Sequence, residues 1–141
     1  MMKDAVLELE KIKEEEFRQE LGQFTGTVNW YRHRQNAQFI YTDGVRHLIE
    51  CYRAIRFIDM IALEVLPTVK KINDDWCYCL MLATTAQETG ELTVFNDDDA
   101  KLLLTIKLSY STIPQISELR FVLSCVDEKA EVFCLSLSSE N

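Results

Sequence analysis

Both histidines of the chain, His33 and His47, fall between positions 24 and 67, together with Trp30 and three of the five tyrosines. Tyr31, Arg32, His33, Tyr41, Asp43 and His47 supply the parts of a polar pocket. An imidazole can move a proton near neutral pH, a guanidinium can clamp an anion through two N–H bonds, and a carboxylate can orient a ring nitrogen. The same residues also have structural uses: Asp43 can cap a helix, the tyrosines can be half-buried core, and His33 can sit on a turn. No nucleophile stands at a recognisable spacing from either histidine, and acid and base cannot be told apart without geometry.

Other chemistry-bearing residues are more scattered. Cys77 and Cys79 share a strand face, and Cys125 and Cys134 can oppose each other across a hairpin centred near Lys129 and Ala130. Four thiolates suffice for zinc, yet the C-x-x-C spacing of a zinc knuckle is absent, and small buried thiols are the simpler reading. No metal and no cofactor is expected. Five cysteines, Cys51 among them, are an odd number in a chain of 141 residues, which is long enough to fold without disulfides, so free buried thiols are predicted. Asp97, Asp98 and Asp99 lack the alternation and closing glutamate of a calcium loop. Arg32, Arg34, Arg46, Arg53 and Arg56 can grip phosphates beside the stacking surfaces of Trp30 and Tyr31, or pair with local carboxylates.

Charge is segregated along the chain. Residues 1–20 carry four basic and seven acidic side chains, residues 30–56 five and two, and residues 72–141 four and twelve, within a net charge of -8. A basic island on an acidic molecule argues against broad nucleic-acid binding and for a protein partner with a basic surface. The acidic turns, Asp97, Asp98 and Asp99 together with Asp127 and Glu128, are the expected contacts.

These groups must be positioned by two kinds of element. Residues 3–22 are strong helix formers with a seam through Phe17 and Leu21, extended by Phe24. Gly26 breaks the pattern, and two short extended pieces, Val28 to His33 and Gln38 to Tyr41, flank a loop. Thr42 or Asp43 then caps a helix whose buried stripe is Val45, Leu48, Ile49 and Tyr52. A second stripe, Ile58, Ile61, Ala62 and Val65, runs to Pro67, where a helix is expected to stop before a linker from Thr68 to Asp75. Two helices are preferred over one kinked one.

Beyond Asp75 the period falls from about 3.6 to about 2, as strands require. Segments Trp76 to Ala83, Glu91 to Phe95, Lys101 to Ser109, Leu119 to Cys125 and Glu131 to Leu137 are separated by polar turns. Residues Tyr110 to Glu118 form a longer connection. The expected fold is α+β, with N-terminal helices on one face of a roughly five-stranded antiparallel meander. One domain over residues 1–141 is expected, with residues 1–16 as a loosely attached helical arm. Charges in every window of MMKDAVLELEKIKEEE leave no secretory signal. The longest apolar run is far short of the ~20 residues of a spanning helix. A soluble cytoplasmic protein with no membrane contact is predicted.

At Phe24-Thr25-Gly26-Thr27, Trp30-Tyr31-Arg32-His33 and Tyr41-Thr42-Asp43-Gly44-Val45 the chain resembles a family of small bacterial and mobile-element proteins, the domain of unknown function numbered 6876. Asp59 matches an aspartate of the family's second helix. The resemblance runs over about residues 17–140, to Leu135-Ser136-Leu137-Ser138-Ser139-Glu140, but lacks a proline in that last pattern. Cys51 to Phe57 replaces a glycine-containing stretch. No activity comes with the resemblance. The leading expectation is a non-catalytic acidic protein-interaction module, in its narrowest form a mobile-element-encoded inhibitor that covers a basic nucleic-acid groove of a defence protein. The alternative is a small enzyme or ligand-binding protein using the Tyr/Arg/His/Asp pocket.

Overall fold

The computed structural model of the chain describes residues 15–17, 19–52, 54–72, 78–86, 89–96, 102–108 and 119–140. Residues 15–17 and 19–22 are helical (α1) and bury Phe17 and Leu21, with Phe24 packed against the same core. A short hairpin follows, β1 (Trp30–Arg32) and β2 (Phe39–Thr42), paired antiparallel with Trp30 opposite Thr42. The extended pieces and the loop between them therefore fall where the sequence places them. Residues 1–14 of the proposed arm lie outside the described residues.

Helix α2 (Asp43–Tyr52) buries Val45 and Leu48, two members of its predicted stripe. It closes where Ala54 N–H donates to Leu48 O at 3.2 Å, across the last turn of the helix. A second rod then runs without interruption through α3 (Ile55–Met60), a π-helical stretch (Ile61–Val65) and α4 (Leu66–Ile72). All four members of its predicted stripe, Ile58, Ile61, Ala62 and Val65, are fully buried.

Two helical rods are expected over residues 43–67, and two are present, but Pro67 does not end the second. The expected linker is helical as far as Ile72. The reason is local. Leu66 N–H bonds to Ile61 O, five residues back rather than four. This widened turn gives the proline ring the space that a regular α-turn denies it.

The second half supplies β3 (Tyr78–Ala86), β4 (Thr89–Asn96), β5 (Leu102–Leu108), β6 (Leu119–Asp127) and β7 (Val132–Leu137). These match the five predicted segments within a few residues, and the fold is α+β. The meander, however, is corrected. One seven-stranded sheet forms, in the order β1-β2-β7-β6-β3-β4-β5. Strand β6 pairs with β3 rather than β5, and β2 pairs with β7 in parallel. Residues 109–118 are long enough for the first exchange: ten extended residues reach roughly 33 Å, against about 14 Å for three strand spacings. The second exchange joins strands from opposite ends of the chain, a pairing no local pattern reveals.

The rods cover one face of this sheet. Phe39, Phe121, Leu123, Phe133, Leu135 and Leu137 share the core with the helical stripes. Phe57 meets Phe121 with ring centroids 5.6 Å apart, which fixes α3 over β6.

Candidate functional site

The motif residues are brought close together, but as three separate clusters instead of one cleft. The first is centred on Asp43. Its Oδ2 accepts the amide N–H groups of Val28 and Asn29 at 2.9 and 3.2 Å, and its Oδ1 accepts the Tyr31 hydroxyl at 2.8 Å. Thr27 Oγ1 accepts the Asp43 amide at 3.0 Å, so chain and side chain are fastened to the same loop. The amide bond from Val28, followed by the Tyr31 hydroxyl, holds the Asp43 carboxyl down to about 2. Tyr31 in turn stacks on Tyr41 at 5.7 Å, with the Arg46 guanidinium 4.3 Å over its ring. Burial pushes the Tyr41 hydroxyl above its usual range. Asp43 is thus a clamp on residues 27–31, not the cap of α2.

Capping of α2 falls to Thr42 and to a residue far away in sequence. Thr42 Oγ1 accepts the Val45 amide at 3.5 Å and donates to Glu140 Oε1 at 2.6 Å. Glu140 Oε2 accepts the Gly44 amide at 3.2 Å, and Oε1 also accepts the Leu137 amide at 3.0 Å. A carboxylate at a helix N-terminus satisfies an orphan donor and the positive dipole end together. Gly44 is needed for this approach, since a Cβ there would lie 2.6 Å from both Glu140 Oε1 and Leu137 Cδ1. The Tyr41–Val45 motif and the Leu135–Glu140 pattern are therefore two halves of one joint.

The second cluster holds His33, which is 3% exposed rather than sitting out on a turn. Its Nδ1 accepts the amides of Gln35 and Asn36 at 3.2 and 3.1 Å. The ring proton must then sit on Nε2, which donates to Asp59 Oδ1 at 2.6 Å. Arg34 Nη2 lies 3.4 Å from Asp59 Oδ2. Neither ring nitrogen is left to exchange a proton with a substrate. Asn36 completes the joint by donating from Nδ2 to Ala62 O at 3.0 Å. That carbonyl sits in the π-helical stretch, and the residue that would serve it in the π register is Pro67, which has no N–H. One side chain of the β1–β2 loop thus replaces the missing helix donor.

The third cluster was not foreseen. His47 Nε2 meets Glu20 Oε1 of α1 at 2.7 Å, and Cys51 Sγ lies 3.5 Å from His47 Nδ1. Phe24 packs against the ring at 5.2 Å. Cys51 is exposed, which corrects the expectation of a buried thiol. The i, i+4 spacing of His47 and Cys51 was visible in the sequence; the role of Glu20 was not.

Remaining expectations divide. Arg32 is exposed on the marginal strand β1. Asp127 and Glu128 are exposed, but Asp127 Oδ1 also accepts the amides of Lys129 and Ala130 at 3.1 Å each, closing the β6–β7 turn. Asp97, Asp98 and Asp99, with Cys77, lie outside the described residues. Cys125 does not face Cys134: it pairs with Phe133, while Cys134 pairs with Ser124, so the two thiols point to opposite faces of the sheet. Burial pushes the Cys134 thiol up to about 11. Among the described residues no three His, Cys, Asp or Glu side chains are arranged to hold a metal. No helix among them is long and apolar enough to cross a membrane.

A model for a family of unknown function, DUF6876, matches residues 15–141. No curated protein matches the chain, and no solved structure matches it.

Proposed function

The chain belongs to DUF6876, a family of unknown function, and on its geometry we propose that it is a non-catalytic protein-interaction module with an acidic contact surface. The observation that carries this reading is the use made of the motif's polar groups. Both ring nitrogens of His33 and both oxygens of Asp43 are bonded within the fold. A catalytic pocket needs such groups turned toward a substrate. Here they fasten loop to helix.

Surface composition supports recognition. The net charge is -8, and the exposed Asp127–Glu128 turn presents part of it. Val28 and Trp30 stand 84% and 58% exposed at the β1 margin of the sheet. An outward tryptophan is the residue type that anchors interfaces most often. A partner with a basic surface fits this chemistry, and in its narrowest form the module is a mobile-element-encoded inhibitor covering a basic nucleic-acid groove of a defence protein.

The experiment is affinity capture from the host followed by a salt titration of the purified pair. Association should slow steeply as ionic strength rises and should weaken further when Glu128, Asp97, Asp98 and Asp99 are changed to lysine. Affinity indifferent to both salt and charge reversal overturns the proposal.

A further inference from the structure

Cys51 is exposed, and its Sγ lies 3.5 Å from His47 Nδ1. Glu20, as a carboxylate, can only accept at His47 Nε2, so the ring proton lies there and Nδ1 turns its lone pair toward the thiol. Phe24 lies against the ring and helps hold its plane. The sequence Cys51 Sγ–H, His47 Nδ1, His47 Nε2–H, Glu20 Oε1 is a nucleophile, a base and a group that orients the base.

The surroundings decide which chemistry this relay can serve. Cys51 is the next-to-last residue of α2, at the negative end of the helix dipole, the wrong sign to stabilise a developing oxyanion. Acyl transfer is therefore disfavoured. An exposed thiol beside a base, without a requirement for oxyanion donors, suits thiol–disulfide exchange, in which the negative charge is spread over sulfurs and never placed on an oxygen.

We infer that Cys51, with His47 as its proton acceptor and Glu20 as the positioning residue, is a modification site for low-molecular-weight disulfides. Sγ–H passes its proton to His47 Nδ1, and Sγ attacks one sulfur of the disulfide. A new S–S bond forms as the old one breaks, and the departing thiolate takes the proton from the imidazole. Cys51 is oxidised, and the reagent is reduced to one equivalent of free thiol. Cys125 is half-buried and Cys134 is buried, which makes both poor competitors.

The test uses the full chain and oxidised glutathione at pH 7, with adducts mapped by peptide mass spectrometry. The Cys51 peptide should be modified first, on the order of tenfold faster in the native chain than in the same chain unfolded in urea. His47→Gln should bring the native rate down to the unfolded rate. Glu20→Gln should fall between, and Glu20→Asp should recover most of the loss. Circular dichroism checks that each variant folds, and the native-to-unfolded comparison needs no variant. Native Cys51 reacting no faster than unfolded, His47→Gln reacting at the wild-type rate, or another cysteine reacting first overturns the inference.

Discussion

Glu140 and Gly44, 96 positions apart, are joined by a 3.2 Å bond from the Gly44 amide to Glu140 Oε2. This bond seats the start of α2 against the residues that follow β7. The contact is close enough that Gly44 has no room for a side chain: its notional Cβ lies 2.6 Å from Glu140 Oε1 and Leu137 Cδ1. Both obstructing atoms end flexible side chains, but Glu140 is held by two further hydrogen bonds, from Thr42 and Leu137, and Leu137 is buried. Gly44→Ala should therefore cost about 1–3 kcal/mol, the range for overpacking combined with a lost charge-assisted bond. Glu140→Ala should cost a similar amount, and the two losses should not add, because both break one joint. Denaturant melts of the two single variants and the double variant provide the check.

His33 and Asp59 should behave as a latch. His33→Ala removes a buried ring and leaves the Gln35 and Asn36 amides without their acceptor, so a loss of about 2–4 kcal/mol is expected. Asp59→Asn keeps an oxygen able to accept the Nε2 proton and should cost only about 1 kcal/mol. The same ranking should appear in the thermal midpoint. Equal losses for the two would show that the Asp59 carboxylate, rather than the packing of the ring and its Nδ1 bonds, carries what His33 contributes.

Asp43 ties stability to acid. Its carboxyl is held at about 2 in the folded chain against 3.8 ordinarily. A depressed carboxylate favours the folded state at every pH above the unfolded value, and that contribution fades as pH falls from about 4 through about 2. Asp43→Asn should leave a chain that is less stable at neutral pH and whose stability is flatter over this acidic window. Urea midpoints measured at a series of pH values would show the two curves converging as pH drops. Parallel curves would remove Asp43 from the account.

Asn36 and Pro67 should be energetically coupled. Asn36→Ala strands Ala62 O inside the π-helical stretch and should cost about 1–3 kcal/mol. Pro67→Ala supplies a backbone N–H close to that carbonyl. In that background Asn36→Ala should cost less than about 1 kcal/mol, a difference that a double-mutant cycle measures directly.

Legibility in the sequence followed the range of the forces involved. The stripe Ile58, Ile61, Ala62 and Val65 and the five strands of the second half are set by side-chain periodicity, and both were readable. The path of the helix through Pro67 was not, because it depends on one wide turn and on an amide from a distant loop. The meander failed for a related reason: strand order is set by which edges meet, and β2 and β7 meet only in three dimensions. Of the two uses open to the motif residues, pocket or structural tie, the bonds made by His33 and Asp43 are ties within the fold. Spacing identified His33 and Asp43 but said nothing of Asp59 Oδ1 waiting at Nε2, or of the Val28 and Asn29 amides at the carboxylate. The pair His47 and Cys51 lay one helical turn apart in plain view. What made it chemical was Glu20, on a separate helix.

Strand β7 lies third in the sheet, between β2 and β6, yet it is synthesised after every other strand described. On the ribosome, the hairpin formed by β1 and β2 and the block formed by β3 to β6 must wait as unjoined pieces, each with an open margin. Their union follows only when residues 132–137 emerge, so the sheet matures after all its other described strands have been synthesised. A nascent chain halted short of that point would expose two adhesive borders, inviting proteolytic clearance.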